Sequence, residues 1–306
     1  MMEKYICTYA MIPVRALPAE SAEMVTQILF GETYEILLVD GKWAKIRTVA
    51  DDYPGWIDAK LIDHIDEAEV ERWNSEAVYV TQLAAMEIGE VHTFTSSKEQ
   101  NSFTSPKKQN SFCHFGDLLP MGCEIHSNGN WIHQHMPLTH WEKYFFLNGK
   151  EFCITTEHDI DFSIGIPGVE AAKSPAETTL SPSECARRLT GAPYLWGGKT
   201  VFGIDCSGLV QVAFKVCGIQ LPRDASQMVK MGDYVAIGAQ RENDLAFFSN
   251  ENGAICHVGI CLDHGGIIHS SGCVRVDRLD NVGIFNGERK THTHKLACIK
   301  RIAMKG

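Results

Sequence analysis

Short runs of alternating apolar and polar residues, separated by turn residues, fill the first part of the chain. Between Pro13 and His64 the runs VTQILF, TYEILLV, WAKIRTV and GWIDAKLI follow one another, and Asp40-Gly41 forms a turn signal between the second and third. A two-residue period with Gly and Asp at the turns is typical of antiparallel strands joined by tight connections. The pattern therefore predicts a small antiparallel barrel.

A second strand-rich region covers residues 78–160, where LPMGCEIH, WIHQHM and KYFFLNGKEFCI follow one another. In it Trp131 follows a turn and opens a strand, as Trp43 does in the first region. This similarity between the two regions predicts a second barrel. The segments KEQNSF and KKQNSF, which begin at Lys98 and Lys107, predict a surface loop inserted into that barrel.

Two segments interrupt the strand pattern and indicate domain boundaries. The acidic run at residues 66–74 predicts a linker or a short helix, and prolines and glycines punctuate residues 166–183. We therefore predict three domains. They are a first barrel with its linker over residues 1–75, a second barrel with an inserted loop over residues 76–165, and a third domain over residues 166–306.

The third domain has a different pattern, in which helices come before strands. Ser181, followed by Pro and Ser-Glu, predicts the cap of a helix that runs to Leu189. A second amphipathic helix is predicted from Cys206 to Val216, where Gly218 ends it. The runs HVGICL, GGIIHSS and ACIKRIA then predict strands, so the domain belongs to the α+β class.

Composition and charge exclude several classes of protein. With 306 residues, of which 44% are hydrophobic and 22% charged, the chain resembles globular rather than disordered proteins. A net charge of −10 predicts neither nucleic acid nor a membrane surface as a partner. The 11 cysteines are odd in number and form no CxxC pair, which indicates reduced thiols. With no leader pattern or long apolar run in the chain, we expect a cytoplasmic protein.

Cys206 lies where a glycine-containing loop leads into a predicted helix. The free amides and the dipole at a helix N-terminus favour the thiolate, which is the nucleophilic form of cysteine. Ser207 and Gly208 keep the first turn small and leave room for a substrate backbone. We therefore expect a lowered pKa for the Cys206 thiol, against the alternative of a buried structural cysteine.

Two downstream histidines, His257 and His269, are candidates for a base and for the residue that orients it. In CHVGICL the histidine alternates with three aliphatic residues, so it lies on the opposite face of the predicted strand. For both histidines to share a face, the hairpin that joins them needs an odd loop or a bulge. Gly265 or Gly266 can supply it.

Other chemistries have weaker support. Cys256, His257, Cys261 and His264 suggest a metal cluster, but neighbouring residues on a strand point to opposite faces, so we predict no metal and no cofactor. A serine nucleophile has no GxSxG elbow to support it. Lys199 follows two glycines without the spacing of a phosphate-binding loop.

The motifs PYLWGG, DCSGLV, LPRDASQ, HVGICL and IIHSSG occur in this order, and their set resembles the NlpC/P60 cysteine peptidases over residues 180–306. The two barrels resemble the bacterial SH3-type domains that accompany such catalytic domains. The whole layout is similar to that of γ-D-glutamyl-L-diamino acid endopeptidases. The resemblance implies an α+β fold in which a papain-like catalytic domain follows two small SH3-like β-barrels.

The resemblance also implies roles for the residues of these motifs. Cys206 would be the nucleophile, His257 the general base and then the general acid, and His269 the residue that orients it. The Tyr194 hydroxyl would stabilise the oxyanion together with the Cys206 amide. On either side of the nucleophile, Asp205 and Ser207 would contact the substrate.

The implied substrate is a peptidoglycan-derived peptide that begins with a free L-Ala linked to γ-D-Glu and is cut after that glutamate. A free amine is a cation, so its site should present carboxylates, and Glu23 and Asp224 match by position. Tyr53 matches the barrel tyrosine that closes the pocket, with Trp56 as the alternative. Ala225 stands where the family can carry Ser, which removes one side-chain hydrogen bond.

Two other functions remain open from the sequence. An amidase or acyltransferase on the same fold would use the same residues on a different amide, or would transfer the acyl group. A wall-peptide-binding module would contain an inert peptidase domain. The sequence does not distinguish lysine from diaminopimelate in the substrate.

Overall fold

A computed structural model of the chain describes residues 3–75, 78–80, 85–90, 118–122, 124–126, 134–135, 140–147, 150–157 and 180–303. The predicted loop around Lys98 and Lys107, Trp131 and most of the predicted boundary at residues 166–183 lie outside these residues.

The first barrel is a six-stranded antiparallel sheet in the order β1-β4-β5-β6-β2-β3. Its strands are β1 Lys4–Ile6, β2 Met11–Arg15, β3 Met24–Leu29, β4 Thr33–Asp40, β5 Trp43–Thr48 and β6 Pro54–Asp58. Alternate side chains, including Ile12, Val14, Ile46 and Ile57, are fully buried in its core. The predicted barrel is confirmed, and its four predicted runs form β3 to β6. The sequence analysis missed β1 and β2.

The acidic run after the barrel forms helix α1, Glu67–Ser75. The indole N–H of Trp73 donates a hydrogen bond to the Gly31 carbonyl oxygen at 3.1 Å. This bond fastens the helix to the barrel.

The second region contributes β7 Val78–Val80, β8 Ala85–Glu90, β9 Leu118–Pro120, β10 Glu124–His126, β11 Gln134–His135, β12 His140–Leu147 and β13 Lys150–Glu157. Five of these strands form a sheet in the order β11-β12-β13-β8-β9, and β10 pairs with β7. Strands β12 and β13 form a hairpin over the predicted KYFFLNGKEFCI run. A complete second barrel stays a prediction.

The third domain joins three helices to a sheet of seven strands. Its elements are α2 Pro182–Arg187, β14 Lys199–Thr200, β15 Gly203–Ile204, α3 Cys206–Val216, α4 Ala225–Met228, β16 Asp233–Val235, β17 Leu245–Ser249, β18 Ile255–Leu262, β19 Gly266–Ser271, β20 Cys273–Leu279, β21 Gly283–Asn286 and β22 Thr291–Arg301. The sheet order is β16-β22-β17-β18-β19-β20-β21, and β21 also pairs with β22. This arrangement confirms the α+β class. Ser181 and Glu184 cap α2 reciprocally, as predicted.

Helix α3 packs on one face of this sheet and forms the main core. Its apolar side chains meet Val258, Ile260 and Ile268, all of which are fully buried. Cys261 and Ile267 point to the other face and join a second, smaller core. This division confirms the predicted alternation along β18. None of the described helices has the length and apolar character needed to cross a membrane.

A buried ion-pair network joins the first barrel to the third domain. The carboxylate of Glu32 accepts hydrogen bonds from Lys199 Nζ at 3.1 Å and from Lys215 Nζ at 2.7 Å, and all three side chains are at most 8% exposed. The Gln27 side-chain oxygen accepts from the Lys199 backbone N–H at 2.7 Å. Buried charges require such partners, so these contacts fix the barrel against the third domain.

Candidate active site

The first turn of α3 presents Cys206 from a tightly packed loop. The Asp205 carboxylate caps the helix by accepting from the Gly208 backbone N–H at 2.6 Å. A β-carbon at Gly208 would lie 2.2 Å from the Gly198 carbonyl oxygen, so only glycine fits there. The small first turn that was predicted therefore allows the start of α3 to pack closely against the backbone of Gly198.

The Cys206 thiol is 6% exposed, and burial raises its pKa to about 11. The neighbouring Asp205 charge adds to this increase, whereas hydrogen bonds from the Val258 and Ser207 backbone amides lower the pKa. The expectation of a lowered pKa is wrong for this resting state, because desolvation of a buried thiolate outweighs the helix N-terminus. Cys206 therefore needs a base to become a nucleophile.

That base is available on β18, whose Val258 amide contacts the Cys206 sulfur. The neighbouring residue, His257, has its Nε2 atom 2.9 Å from His269 Nδ1. His269 Nε2 lies 3.1 Å from the Asp277 carboxylate. The predicted pair of histidines therefore forms a hydrogen-bonded chain that ends on a buried acid.

The β18–β19 hairpin brings the two histidines together through a loop of three residues, Asp263–Gly265. His264 and Gly265 adopt positive φ angles of 58° and 74° in that loop. The odd loop places both histidines on one face, as the sequence analysis required. Gly259 supplies the space, since a β-carbon there would lie 2.9 Å from the His269 Cβ.

Both histidines are uncharged at neutral pH. Burial lowers the pKa of His257 well below its usual 6.5, and the nearby His294 and His269 lower it further. Burial also lowers the pKa of His269, although the Asp277 carboxylate opposes this change. A neutral imidazole can accept a proton, so His257 is in the form that a general base requires.

A third imidazole, His294, stacks on His257 with ring centroids 4.1 Å apart and an interplanar angle of 24°. Within the described part of the chain, these two and His269 are the only group of three potential metal ligands, with ligand atoms within 4.8 Å of one another. Coordination places a metal in the plane of each imidazole, which two stacked rings cannot share in this arrangement. Cys256, of the predicted alternative cluster, is exposed while His257 is buried.

A cavity of about 280 Å³ opens above the nucleophile. Its lining combines residues of the barrel with residues of the third domain. They are Glu23, Val25, Tyr53, Tyr194, Trp196, Asp205, Cys206, Ser207, Asp224, Ala225, Ser226, Ile255 and Cys256. The structure thus collects around one cavity every predicted site residue except the two histidines, which do not line it.

At the barrel side of the cavity, Tyr53 and the two predicted carboxylates come together. The Tyr53 hydroxyl donates to Asp224 at 3.3 Å, across the domain boundary. The Trp196 indole N–H donates to Glu23 at 2.5 Å. Of the two predicted alternatives, Tyr53 lines the cavity, whereas Trp56 pairs with Lys45 within the barrel and does not.

Burial raises the pKa of two groups that line the cavity. It increases the pKa of Tyr194 to about 12, so its hydroxyl keeps the proton that an oxyanion donor needs. It also increases the pKa of Asp224, against the opposing effects of Arg223 and Tyr53. Ala225 is buried at the start of α4 and offers no side-chain hydrogen bond.

The Asp205 carboxylate has several partners within the chain. Besides capping α3, it accepts from the Gly197 amide at 2.8 Å and from Arg223 at 2.6 Å and 3.0 Å. Arg223 is 1% exposed and also donates to Ser207 Oγ at 2.7 Å and to Thr26 of the barrel at 2.9 Å. Direct contact of Asp205 and Ser207 with substrate stays a prediction.

The sequence analysis missed four residues that shape this site: Asp277, His294, Arg223 and Trp196. Arg223 and Trp196 lie inside two of the motifs that carry the family resemblance, LPRDASQ and PYLWGG. These motifs could have indicated that both residues belong to the site. Asp277 and His294 come from β20 and β22, and only the strand register brings them to the histidines.

The chain is similar to known proteins in both the third domain and the first barrel. Residues 191–289 match the NlpC/P60 family, and residues 14–62 match the bacterial dipeptidyl-peptidase Sh3 domain. The chain is 45% identical over 82 residues to the γ-D-glutamyl-L-lysine dipeptidyl-peptidase of Bacillus subtilis, covering 26% of this chain and 28% of that protein. The matched segment therefore spans less than a third of that relative.

A protein of the same name from Bacillus cereus aligns over 257 residues with 24% identity, covering 81% of this chain and 67% of that protein. The crystal structure of an NlpC/P60 family protein from Bacillus cereus has a TM-score of 0.69 to this chain at 16% identity. That superposition covers 97% of this chain and 99% of the other. The two chains therefore share a fold.

Proposed function

We propose that this chain is a cysteine peptidase that acts on peptidoglycan-derived peptides. It contains an NlpC/P60 domain that follows a bacterial dipeptidyl-peptidase SH3 domain along the chain. It cleaves the bond between γ-D-Glu and the diamino acid in peptides with a free N-terminal L-Ala, and it releases L-Ala-γ-D-Glu. The observation that carries this proposal is the cavity that runs from Cys206 to the two carboxylates, Glu23 and Asp224.

The chemistry follows from the neutral thiol and the neutral imidazole. Cys206 transfers its proton to His257 as the sulfur attacks the γ-carbonyl carbon of D-Glu. The Tyr194 hydroxyl and the Cys206 amide stabilise the oxyanion. His257 then donates the proton to the leaving amine, and a thioester remains on Cys206. Water, activated by His257, hydrolyses the thioester and releases the dipeptide.

The far end of the cavity suits a cationic amine. Glu23 is exposed at the cavity wall, and Asp224 is partly buried beside the Tyr53 hydroxyl. The cavity volume of about 280 Å³ lies just below the range of about 300–1,000 Å³ that is typical of pockets for drug-sized ligands. A cavity of this size suits the dipeptide that precedes the cleaved bond. The barrel thus limits how much chain can precede that bond.

The test is cleavage of L-Ala-γ-D-Glu-L-Lys and of its diaminopimelate counterpart, followed by mass spectrometry. We expect release of L-Ala-γ-D-Glu by the wild-type protein and none by Cys206→Ala. Acetylation of the substrate amine should raise KM by at least about tenfold, because it removes the charge that the carboxylates bind. Glu23→Gln should reduce this difference between the free and the acetylated peptide.

Equal turnover by Cys206→Ala would contradict the proposal, and so would equal turnover of the acetylated peptide by the wild-type protein. Transfer of the acyl group to an added amine, or cleavage of a different amide, would point to the acyltransferase or amidase alternative. Binding of the peptide without any product would point to the inert binding module.

We also propose that the protein works in the cytoplasm on peptides recovered during wall turnover. Cys185 and Cys217 are free thiols whose side chains form a hydrogen bond, and such a pair is suited to a reducing compartment. Fractionation of producing cells checks this location. Recovery of the protein in the medium or the wall fraction would contradict it.

A further inference from the structure

Asp277 lies on β20 at the end of the histidine chain, and its side chain is 6% exposed. Its Oδ2 atom is 3.1 Å from His269 Nε2 and also accepts from Arg275 Nε at 2.9 Å. The other oxygen, Oδ1, accepts from Arg275 Nη2 at 3.2 Å. The guanidinium thus binds both oxygens of the carboxylate, and these oxygens accept hydrogen bonds.

An acceptor at this point determines where the protons lie along the whole chain. His269 must carry its proton on Nε2, which leaves its Nδ1 as an acceptor in the neutral ring. The His257 Nε2 atom, 2.9 Å from that Nδ1, must then be the donor. His257 Nδ1 is the remaining nitrogen with a free lone pair.

We propose that Asp277 is a positioning residue that sets the tautomers of both histidines, so that His257 Nδ1 is the atom that takes the Cys206 proton. Asp277 acts through His269 and touches neither the substrate nor the sulfur. This inference deepens the proposed function, because it concerns the base of the same reaction. The lowered pKa values of both histidines support it, because a charged ring would carry protons on both nitrogens.

The opposite tautomers of the two histidines are unfavourable because of Asp277. If His269 carried its proton on Nδ1, its Nε2 lone pair would face the carboxylate at 3.1 Å. Two buried acceptors facing each other lose a hydrogen bond and repel. After His257 accepts the thiol proton, its Nε2–H still donates toward His269, and the negative charge of Asp277 stabilises the imidazolium through that ring.

The substitution Asp277→Leu tests this assignment, because it keeps the approximate shape of the side chain and removes the acceptor. With no carboxylate to accept from His269 Nε2, nothing holds the proton on that atom, and His257 Nδ1 becomes protonated in part of the protein. We expect kcat for the tripeptide to fall by at least about tenfold with KM nearly unchanged, because that part holds the base in the wrong tautomer. Asp277→Asn keeps the acceptor, because its amide oxygen takes the Oδ2 position and accepts from both Arg275 Nε and His269 Nε2.

A matched control lies just after the same strand. Asp280 makes the same type of pair with His292 Nε2, at 2.9 Å, but does not contact the His257 chain. Asp280→Asn should therefore leave kcat within about twofold of the wild-type value. Asp277→Asn keeps the acceptor and should lose less activity than Asp277→Leu. A merely structural role predicts equal activity for these two variants, since both preserve the shape.

Two readouts do not depend on the substrate. Iodoacetamide should alkylate Cys206 at least about threefold more slowly in Asp277→Leu than in the wild-type protein, because the base accepts the proton in only part of the variant. Nitrogen-15 NMR of the imidazoles should show His257 and His269 protonated on Nε2 in the wild-type protein, and protonation on Nδ1 should appear in Asp277→Leu. Unchanged tautomers, or a kcat within threefold of the wild-type value, would overturn the inference.

The outcomes separate this inference from the proposed function. If the wild-type protein cleaves no wall peptide but the variant still changes tautomers and alkylation, the proposed substrate is wrong and the role of Asp277 stands. If the wild-type protein cleaves the peptide and Asp277→Leu does so equally well, the proposed function stands and the role of Asp277 is wrong.

Discussion

Burial raises the pKa of Cys206 to about 11 and lowers the pKa of His257 well below 6.5. Both residues are therefore neutral at pH 7, and we expect proton transfer to accompany attack rather than to precede it. Desolvation explains both pKa shifts, because it disfavours the charged form of a side chain, which is the thiolate of Cys206 and the imidazolium of His257. At the scale of single residues, burial thus keeps both Cys206 and His257 uncharged in the free protein.

The same burial predicts loss of stability in acid. Burial, together with His269, lowers the pKa of His294 to about 4, whereas the unfolded chain protonates this residue near 6.5. Between these values the unfolded state binds more protons, so the free energy of unfolding falls as the pH falls through this window. His294→Phe keeps a ring against His257 and should lose less stability between about pH 7 and pH 4.5.

Urea unfolding at the two pH values measures this effect. His264→Asn is the control, because His264 is exposed in the hairpin loop and Asn tolerates its φ of 58°. The control should keep the wild-type dependence on pH. An unchanged dependence in His294→Phe would count against a buried neutral His294.

At the scale of elements, the β18–β19 hairpin sets the geometry of the base. The ladder pairs Ile260 with Ile268 and Leu262 with Gly266, and its three-residue loop keeps His257 and His269 on one face. A loop longer or shorter by one residue would turn one histidine to the opposite face. The hairpin is therefore as necessary to the site as the side chains that it carries.

Gly259→Ala should impair catalysis through this hairpin. The new β-carbon would lie 2.8 Å from Ile267 Cδ1 and 2.9 Å from His269 Cβ, so β19 must move away from β18. A displacement of about 1 Å in a catalytic group can reduce the rate about 10²-fold, and we expect a fall in kcat of that size with little change in KM. Steady-state kinetics on the tripeptide measures both.

Gly287→Ala is the control for this substitution. No atom lies within 4 Å of the β-carbon that it would add. It should leave kcat unchanged. Wild-type kcat in Gly259→Ala would show that the hairpin tolerates a wider spacing than we infer.

At the scale of the whole molecule, the first barrel is part of the catalytic cavity. It supplies Glu23, Val25 and Tyr53 to the lining. Its buried Glu32 contacts two ammonium groups of the third domain, and Thr26 binds Arg223. The cavity lining and the packing between the barrel and the third domain therefore involve the same face of the barrel.

Glu32→Gln should destabilise this surface strongly. It removes the negative charge that binds Lys199 and Lys215, and breaking such a buried pair costs about 3–5 kcal/mol. We expect the first urea-unfolding transition to move to a lower concentration, and KM for the tripeptide to rise as the barrel loosens. Fluorescence and kinetics measure these two effects.

The matched control is Glu35→Gln, which removes a carboxylate from a partly exposed pair with Arg47 within the barrel. Solvent screens pairs near the surface, so they contribute little to stability and this variant should unfold close to the wild-type protein. Equal stability of the two variants would contradict the role given to Glu32.

Local pattern was enough to predict much of the fold. Helix α3 has the predicted bounds, Cys206–Val216, because its apolar period and its end signals lie within one segment. The cap at Ser181 and the alternation along β18 are confirmed for the same reason. Strands β1 and β2 were missed because they precede the repeating pattern of runs and turns.

The candidate site was predictable in part. The motif order brought Cys206, His257 and His269 together with the cavity residues, and the structure collects them in one place. The pKa of Cys206 was not predictable, since a helix N-terminus is visible in the sequence while the degree of burial is not. Asp277 was not predictable either, because the register of β19 against β20 decides which acid reaches His269.

The sequence by itself determined a cysteine at the start of a helix and the odd hairpin loop that the two histidines require, because each of these depends on residues that are close in the chain. The acidic residues that suit a cationic amine, Glu23 and Asp224, were predicted only from the resemblance to a family. The tertiary structure alone decided the charge of the thiol, the tautomers set by Asp277 and the place of Tyr53 in the lining of the cavity. Desolvation and hydrogen bonding across strands and domains depend on distances that only the folded chain defines.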